Sequence, residues 1–271
     1  MADHRTRWQI EAGTRPDLEG IDTRSTSGAP GKKKETKAAS AELVGEVADL
    51  QRRLWAEHRR SVLVVLQALD AGGKDGTIRK VFSGVNPQGV GVASFKQPSE
   101  EERNHDFLWR IHRRVPSAGH ITVFNRSHYE DVLIVRVNKL VPKPVWKARY
   151  GTIRNFEDHL VASGTVIVKV MLHISKDEQK ERFQARLDDP TKRWKFSPAD
   201  LEVRDRWDDY QEAYADAIEE TTTDEAPWFV VPADRKWYRD WAVLQILLET
   251  LKEMDPQFPA EHPGLDDIVI E

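Results

Sequence analysis

The stretch Leu69-Asp70-Ala71-Gly72-Gly73-Lys74-Asp75-Gly76-Thr77 sets paired glycines and a lysine between two carboxylates. Glycines followed by lysine suit a turn whose backbone N–H groups face an anion, with the lysine adding a point charge between phosphates. The phosphate-loop pattern is Gly, four residues, Gly-Lys, then Ser or Thr, between a strand and a helix. Here Ala68 replaces the first glycine and Asp75 replaces the hydroxyl residue. Candidate phosphate ligands are therefore Gly72, Gly73, Lys74, Asp75, Gly76 and Thr77. The competing reading is an ordinary strand-to-helix turn with Lys74 as a surface cation.

The carboxylates carry the information. Beside a polyphosphate they are unfavourable unless a cation lies between, and Mg²⁺ is commonly held by one or two carboxylates plus substrate phosphates. Asp70 is the candidate metal ligand and the candidate for activating an attacking phosphate oxygen. Asp75 is either a second such group or a helix-start acid that favours the dipole.

Three further clusters could join this chemistry. Asn125, Arg126, His128, Glu130 and Asp131 follow an apolar run, Ile121 to Phe124. Arg126 could bind phosphate as a two-pronged donor or pair with Glu130 or Asp131. A Ser127-His128-Asp131 triad is excluded, because adjacent residues at a helix start point about 100° apart. From Arg126 to Arg154, basic residues at 126, 136, 139, 143, 147, 149 and 154 face only Glu130 and Asp131, which suggests a track for an extended anion. Finally, Arg182 and Arg186 lie four apart, and Lys192, Arg193 and Lys195 follow Pro190. A mobile segment of this kind could bring cations over phosphates, or be a solvated hairpin paired with Asp188 and Asp189.

The elements that must position these groups follow from periodicity. Leu43, Val47, Leu50 and Leu54 recur at helical spacing after Ser40, the expected N-cap. Ser61 to Gln67 is a β-branched run suited to a strand buried on both faces. Downstream, strands are expected at 90–95, 121–124, 166–174 and 228–231. Between them lie helices opened by Ser99 with Glu102, by Ser175 with Glu178, and by Ser197-Pro198 reaching to about Glu220. The first of these is expected to present Phe107, Ile111 and Val115 on one face. A last helix carries Trp237, Trp241, Leu244, Leu248 and Leu251. Strands alternating with helices imply an α/β fold, a parallel sheet between helical layers, with active groups at the carboxyl ends of the strands.

Composition bounds the rest. A chain of 271 residues with 39% apolar residues and nine Trp can bury a large core. A net charge of -4 argues against coating nucleic acid or anionic membrane. There is no cysteine, so disulfides, thiolate nucleophiles and thiolate metal sites are excluded. The opening residues lack an apolar signal core, and no apolar run approaches the roughly 18 residues of a membrane span. A cytoplasmic protein is expected. Residues 1–39 are polar and expected to form a flexible or surface-wrapped arm, with Lys32, Lys33 and Lys34 as a solvated linker or a polyanion contact. Residues 40–271 are expected to form one domain, with a lid at about 176–206.

Taken together, "LDAGGKDGT", "GVNPQGVGVASFKQPSEEERNHDFLWR", "GHITVFNRSHYEDVLIVRV", "ERFQARLDDPTKRWKFS" and "APWFVVPADRKWYRDWAV" resemble the polyphosphate kinase 2 family over residues 40 to about 255. The resemblance implies a three-layer α/β/α phosphate-loop kinase fold with a five-stranded parallel sheet and a helical lid. It implies reversible, Mg²⁺-dependent transfer of the terminal phosphoryl of inorganic polyphosphate to AMP or ADP, giving ADP or ATP, with Mn²⁺ as an alternative metal. "FNRSHYED" with Asn125, together with "GVNPQG", is similar to the class III branch, which accepts AMP as well as ADP. By position, Asp70, Lys74, Arg126 and Arg186 fall on catalytic groups, Arg182, Lys192 and Lys195 on phosphate ligands, and Asn125, Glu130 and Asp131 on the acceptor nucleotide or a second metal. Expected partners are polyphosphate, AMP, ADP and ATP, with guanine nucleotides as further candidates, and other copies of the chain in a homo-oligomer. Neither nucleic acid nor membrane is expected. The competing functions are an ATP-dependent nucleoside monophosphate kinase and a nucleotide-binding module without turnover.

Overall fold

The computed structural model describes residues 4–265, 268 and 270. Residues 1–3 of the expected arm and 266, 267, 269 and 271 of the expected domain lie outside the described residues. Five strands, β1 (Ser61–Gln67), β2 (Val90–Ser94), β3 (Ile121–Asn125), β4 (Thr165–His173) and β5 (Trp228–Pro232), form one sheet in the order β2-β3-β1-β4-β5, and every pairing is parallel. All five carboxyl ends therefore open on one edge.

Among the described residues, ten α-helices surround the sheet: α1 (Lys33–Glu57), α2 (Lys74–Val81), α3 (Glu100–Arg103), α4 (Trp109–His112), α5 (Ile134–Val137), α6 (Lys143–Ala162), α7 (Lys176–Asp188), α8 (Ala199–Asp205), α9 (Trp207–Thr221) and α10 (Lys236–Met254). Strand alternation divides the core. Val62, Val64 and Leu66 of β1 pack with α1, α2 and α10, whereas Leu63 and Val65 pack with α6 and α9. All seven residues of β1 are buried, as expected of a strand covered on both faces.

Several boundaries differ from the periodic pattern. α1 begins at Lys33, so Ser40 lies inside it, and the Ser40 hydroxyl donates to the Thr36 carbonyl at 2.7 Å rather than capping. The Ser99/Glu102 capping box forms, but α3 ends at Arg103. The Asp106 carboxylate then accepts from the Leu108 N–H at 2.9 Å, a local bond that competes with helix continuation. Ile111 nevertheless reaches the second core, with Phe107 and Val115 against it. The expected helix from Ser197 is divided at Arg206 into α8 and α9.

The segment before α1 packs on the sheet. Trp8 is buried, and its indole N–H donates to the Tyr238 hydroxyl at 3.1 Å. Gln9 bridges Phe229 in antiparallel sense, and Leu18 enters the second core.

Candidate active site

The turn from β1 into α2 is shaped by residues with left-handed backbone. Ala71 has φ 61° and Gly73, the residue before α2, has φ 104°. The positive φ favours glycine here, and a Cβ on Gly73 would lie 1.9 Å from Arg239 Nη1 and have to displace that guanidinium. Lys74 folds back, donating from Nζ to the Ala68 carbonyl at 2.7 Å. Burial, reinforced by the charge of Arg126, lowers its pKa to about 8 against the pull of Asp70, Glu130 and Asp75. Thr77, expected as a phosphate ligand, is fully buried and donates to the Gly73 carbonyl at 3.2 Å. Its hydroxyl braces the loop instead of lining the cavity.

Arg126, at the end of β3, has φ 61° and donates from Nη2 to Asp70 Oδ1 at 2.6 Å. Its ion-pair partner is thus Asp70 across the strand ends, not the neighbouring Glu130 or Asp131. Burial works against the charge on Arg126, but Glu130 and Asp70 outweigh it and hold its pKa above the usual value. Glu130 is shifted up by burial, against the stabilising charges of Arg126 and Lys74. The Gln179 amide fixes the Asp70 backbone by donating to its carbonyl at 2.9 Å. Asp70 Oδ2 receives no hydrogen bond from the described residues, so this oxygen fits the direct ligand that a Mg²⁺ shared with phosphate oxygens requires.

Asp75 is occupied on both oxygens. Oδ1 accepts from Asn125 Nδ2 at 2.8 Å, and Oδ2 lies 3.4 Å from Lys195 Nζ. Burial opposes its ionisation, yet Asn125 and Lys195 together hold its carboxyl below the usual value. Asp75 therefore joins the loop to β3 and to the segment above.

That segment is α7, the turn through Arg193–Lys195, and α8. Ser175 caps α7 by accepting from the Glu178 N–H at 3.0 Å. The cap is anchored by Asp234, which accepts from the Ser175 N–H at 2.8 Å and the Thr23 hydroxyl at 2.8 Å. Arg182, expected as a phosphate ligand, makes five hydrogen bonds: to Glu178, to the Ala71 and Gly72 carbonyls, and to the Ala233 and Asp234 carbonyls. A guanidinium has five N–H donors, so Arg182 is a brace tying the lid helix to the back of the loop. Arg186 is less committed, with Nη1 3.2 Å from the Lys195 carbonyl and 3.8 Å from Asp200 Oδ2.

Loop, strand ends and lid enclose a cavity of about 660 Å³. Eight cationic side chains line it, Lys74, Lys96, Arg126, Arg182, Arg186, Lys192, Lys195 and Lys236, against the carboxylates of Asp70, Asp75 and Asp200. Asn125 and the loop glycines at 72, 73 and 76 also reach it. Asp131 does not. Its Oδ1 accepts from Arg149 Nη1 at 3.0 Å, with Arg110 at 3.9 Å on Oδ2, so its carboxylate belongs to an ion-pair cluster outside the cavity wall. The expected basic track is likewise largely spent. Arg136 pairs with Glu212 and Asp216, Arg149 with Asp131, and Arg154 with Glu220.

Sequence reasoning missed Lys96, Lys236, Asp200 and Trp194, which line the cavity, and Arg239 behind Gly73. Lys96 and Lys236 each lie just past a strand end, the place where sites collect in such sheets. No local signal marks Asp200 or Arg239. Also missed was a buried network in which Lys169 Nζ donates to Glu157 Oε2 at 2.6 Å, and the Tyr129 hydroxyl donates to Glu157 Oε1 at 2.8 Å. His128 Nε2 lies 3.2 Å from the same Oε1. These contacts pin the turn immediately after Arg126 to β4 and α6.

Comparison with known proteins agrees with this geometry. The Polyphosphate kinase 2 (PPK2) family profile matches residues 31–259. The chain is 53% identical over 265 residues to the AMP/ADP-polyphosphate phosphotransferase of Meiothermus ruber, covering 98% of this chain and 99% of that one. It is 51% identical over 233 residues to the ADP-polyphosphate phosphotransferase of Rhodopseudomonas palustris, covering 82% and 81%. The crystal structure of polyphosphate kinase 2 from Arthrobacter aurescens TC1 superposes with a TM-score of 0.93 at 46% identity, over 96% of this chain and 93% of that one. A parallel α/β sheet, a glycine loop carrying Lys74 and a cationic lid over the strand ends thus meet with this sequence similarity: the chain belongs to the polyphosphate kinase 2 family.

Proposed function

We propose that the protein transfers the terminal phosphoryl group of inorganic polyphosphate to AMP and ADP, forming ADP and ATP, and catalyses the reverse. The observation that carries this reading is the single space shared by Lys74, the Asp70–Arg126 pair and the lid cations, with five more cationic than acidic side chains around it. Phosphoryl transfer has little covalent chemistry, so positioning and charge stabilisation dominate. The names of the relatives from Meiothermus ruber and Rhodopseudomonas palustris support the same reaction.

In this account the donor's terminal phosphates lie on the backbone of Gly72 to Gly76, and Lys74 turns from the Ala68 carbonyl towards them. Arg126 exchanges Asp70 for phosphate oxygens. Asp70, released, orients the attacking acceptor oxygen. A Mg²⁺ ion held by Asp70, or Mn²⁺ in its place, would supply charge neutralisation between donor and acceptor oxygens. Arg186, Lys192 and Lys195 close over the site, exclude water and stabilise the highly charged transition state. Asn125 lies on the β3 side of the cavity, where we place the acceptor, whereas Glu130 is not on the cavity wall and acts through the charge it sets beside Arg126 and Lys74.

An ATP-dependent monophosphate kinase would share the loop and lid. The cations beyond them, Lys96 and Lys236, favour a longer anionic donor. A pure binding module gains nothing from Asp70 facing phosphate. We place the reaction in the cytoplasm and include guanine nucleotides among the acceptors and a homo-oligomer as the working form. Incubating the purified protein with polyphosphate and AMP, ADP, GMP or GDP, and separating the products by anion exchange, tests the reading. Phosphorylation of AMP and ADP is expected. Phosphorylation that needs ATP and ignores polyphosphate would replace it with the monophosphate kinase.

A further inference from the structure

The cavity wall is almost entirely charged, polar or small, and among the described residues only two aromatic side chains, Phe95 and Trp194, line it. They differ in what they offer. Phe95 is 7% exposed; its ring lies edge-on to Phe124 at 4.9 Å, with the Arg110 guanidinium 5.7 Å from its centre. Trp194 is 77% exposed, the highest value among the aromatic side chains of the described residues. It stands at the lid tip between Lys192 and Lys195.

The ring is nevertheless held. Its indole N–H donates to the Thr191 carbonyl at 3.0 Å. The Lys195 ammonium lies 5.0 Å from the ring centre, and the same ammonium is 3.4 Å from Asp75. Two contacts thus orient the indole over the cavity while leaving most of its surface bare. A single exposed apolar ring needs no explanation by itself; this one is fixed in place on the cavity wall with its face open to a ligand there.

The chemistry of the ring indicates which ligand. An aromatic face carries the negative part of a quadrupole, which attracts an ammonium such as Lys195 and repels phosphate oxygens. Polyphosphate therefore gains nothing from Trp194. A nucleobase has a π face of its own, and stacking tolerates every base.

We propose that Trp194 is the stacking platform for the base of the acceptor nucleotide, so that the lid closes with its cations on phosphate and its indole on the base. This rests on the phosphotransferase reading above. It assigns recognition of the nucleoside to shape and stacking, without discrimination between adenine and guanine.

The test compares wild type with Trp194→Ala and Trp194→Phe, after circular dichroism has shown that each is folded. AMP binding is measured calorimetrically in the absence of polyphosphate, and KM for AMP and for polyphosphate is measured at saturation of the other. Stacking on an aromatic side chain predicts that Trp194→Ala weakens AMP and GMP alike by between about five- and about 150-fold. Trp194→Phe stays within about threefold, and KM for polyphosphate is unchanged. Unaltered AMP affinity in Trp194→Ala, or a rise in the polyphosphate KM alone, overturns the proposal. The two readings fail separately: a protein that binds AMP through Trp194 but does not use polyphosphate sinks the reaction and keeps the platform. A protein that turns over polyphosphate with AMP affinity indifferent to Trp194 does the opposite.

Discussion

Arg126 Nη2 and Asp70 Oδ1 lie 2.6 Å apart across the ends of β3 and β1. In the proposed reaction both groups act on phosphate, and here each is paired with the other. The pair keeps two charges balanced in a half-buried site and can be exchanged for phosphate and metal at little net loss of charge interaction. Asp70→Asn should retain the hydrogen bond and lose the charge. We expect kcat for ADP formation to fall about a hundredfold or more, with the Tm within a few degrees of wild type. A kcat within a few-fold of wild type would remove Asp70 from the chemistry.

Lys74 should report on donor binding through protons. Its pKa of about 8 lies below the ordinary 10.5, so the cost of holding it charged is present below pH 8 and disappears as pH rises from 8 towards 10.5. Above pH 8 the free protein has lost this proton, and an anion that needs the ammonium must take one up. Polyphosphate affinity should then fall up to about tenfold per pH unit. Calorimetry in two buffers of different ionisation enthalpy should detect proton uptake on binding at pH 8.5. Binding without proton exchange would contradict it.

Gly73 tests the packing behind the loop. An alanine there meets a positive φ that costs about 1–2 kcal/mol and also collides with a buried guanidinium. Gly73→Ala should lower the Tm by roughly 4 °C or more in a chain of this size. An unchanged melting curve would mean that Arg239 is free to move away.

The buried network behind Arg126 gives a stability prediction. Burial lowers the Lys169 pKa against the pull of Glu157; burial also opposes ionisation of Glu157, but Lys169 and His128 outweigh it and lower its pKa. Lys169→Met strands the Glu157 carboxylate and should cost about 3–5 kcal/mol in chemical denaturation. Adding Glu157→Gln should recover a large part of that loss. Additive losses in the double variant would show that the pair does not act as a unit.

What was legible in the sequence was local. The β-branched run of β1, the loop glycines and the Ser99 and Ser175 caps act within a few residues and appear where their spacing implies. What failed was decided across the fold. Arg182 and Arg186 look alike four residues apart on α7, yet Arg182 meets carbonyls from two distant turns and becomes a brace. Of the cations from Arg126 to Arg154, Arg136 and Arg154 pair with acids from α9 and Arg126 with Asp70, partners invisible to any local count. Asp131 is drawn to Arg149 and Arg110, and Arg239 approaches Gly73 only because α10 lies beside α2. Ser40 lost its cap because the segment from Lys33 is already helical.

The lid makes a further prediction. Lys192 and Lys195 are exposed cations paired with Asp189 and Asp75 at 2.5 Å and 3.4 Å. Such pairs contribute little and release their cations readily. Lys192→Gln with Lys195→Gln should raise the polyphosphate KM several-fold at low salt and flatten its dependence on ionic strength. An unaltered salt dependence would place polyphosphate away from the lid tip.

The central claim is that the Lys74 loop and the Asp70–Arg126 pair act on polyphosphate within one cavity. The most direct measurement is the initial rate of ATP formation from ADP, polyphosphate and Mg²⁺, without added ATP, for wild type and Lys74→Ala. The account predicts steady ATP production by wild type and a loss of about a hundredfold or more in the variant. Equal rates for the two proteins, or no ATP from a folded wild type, would contradict it.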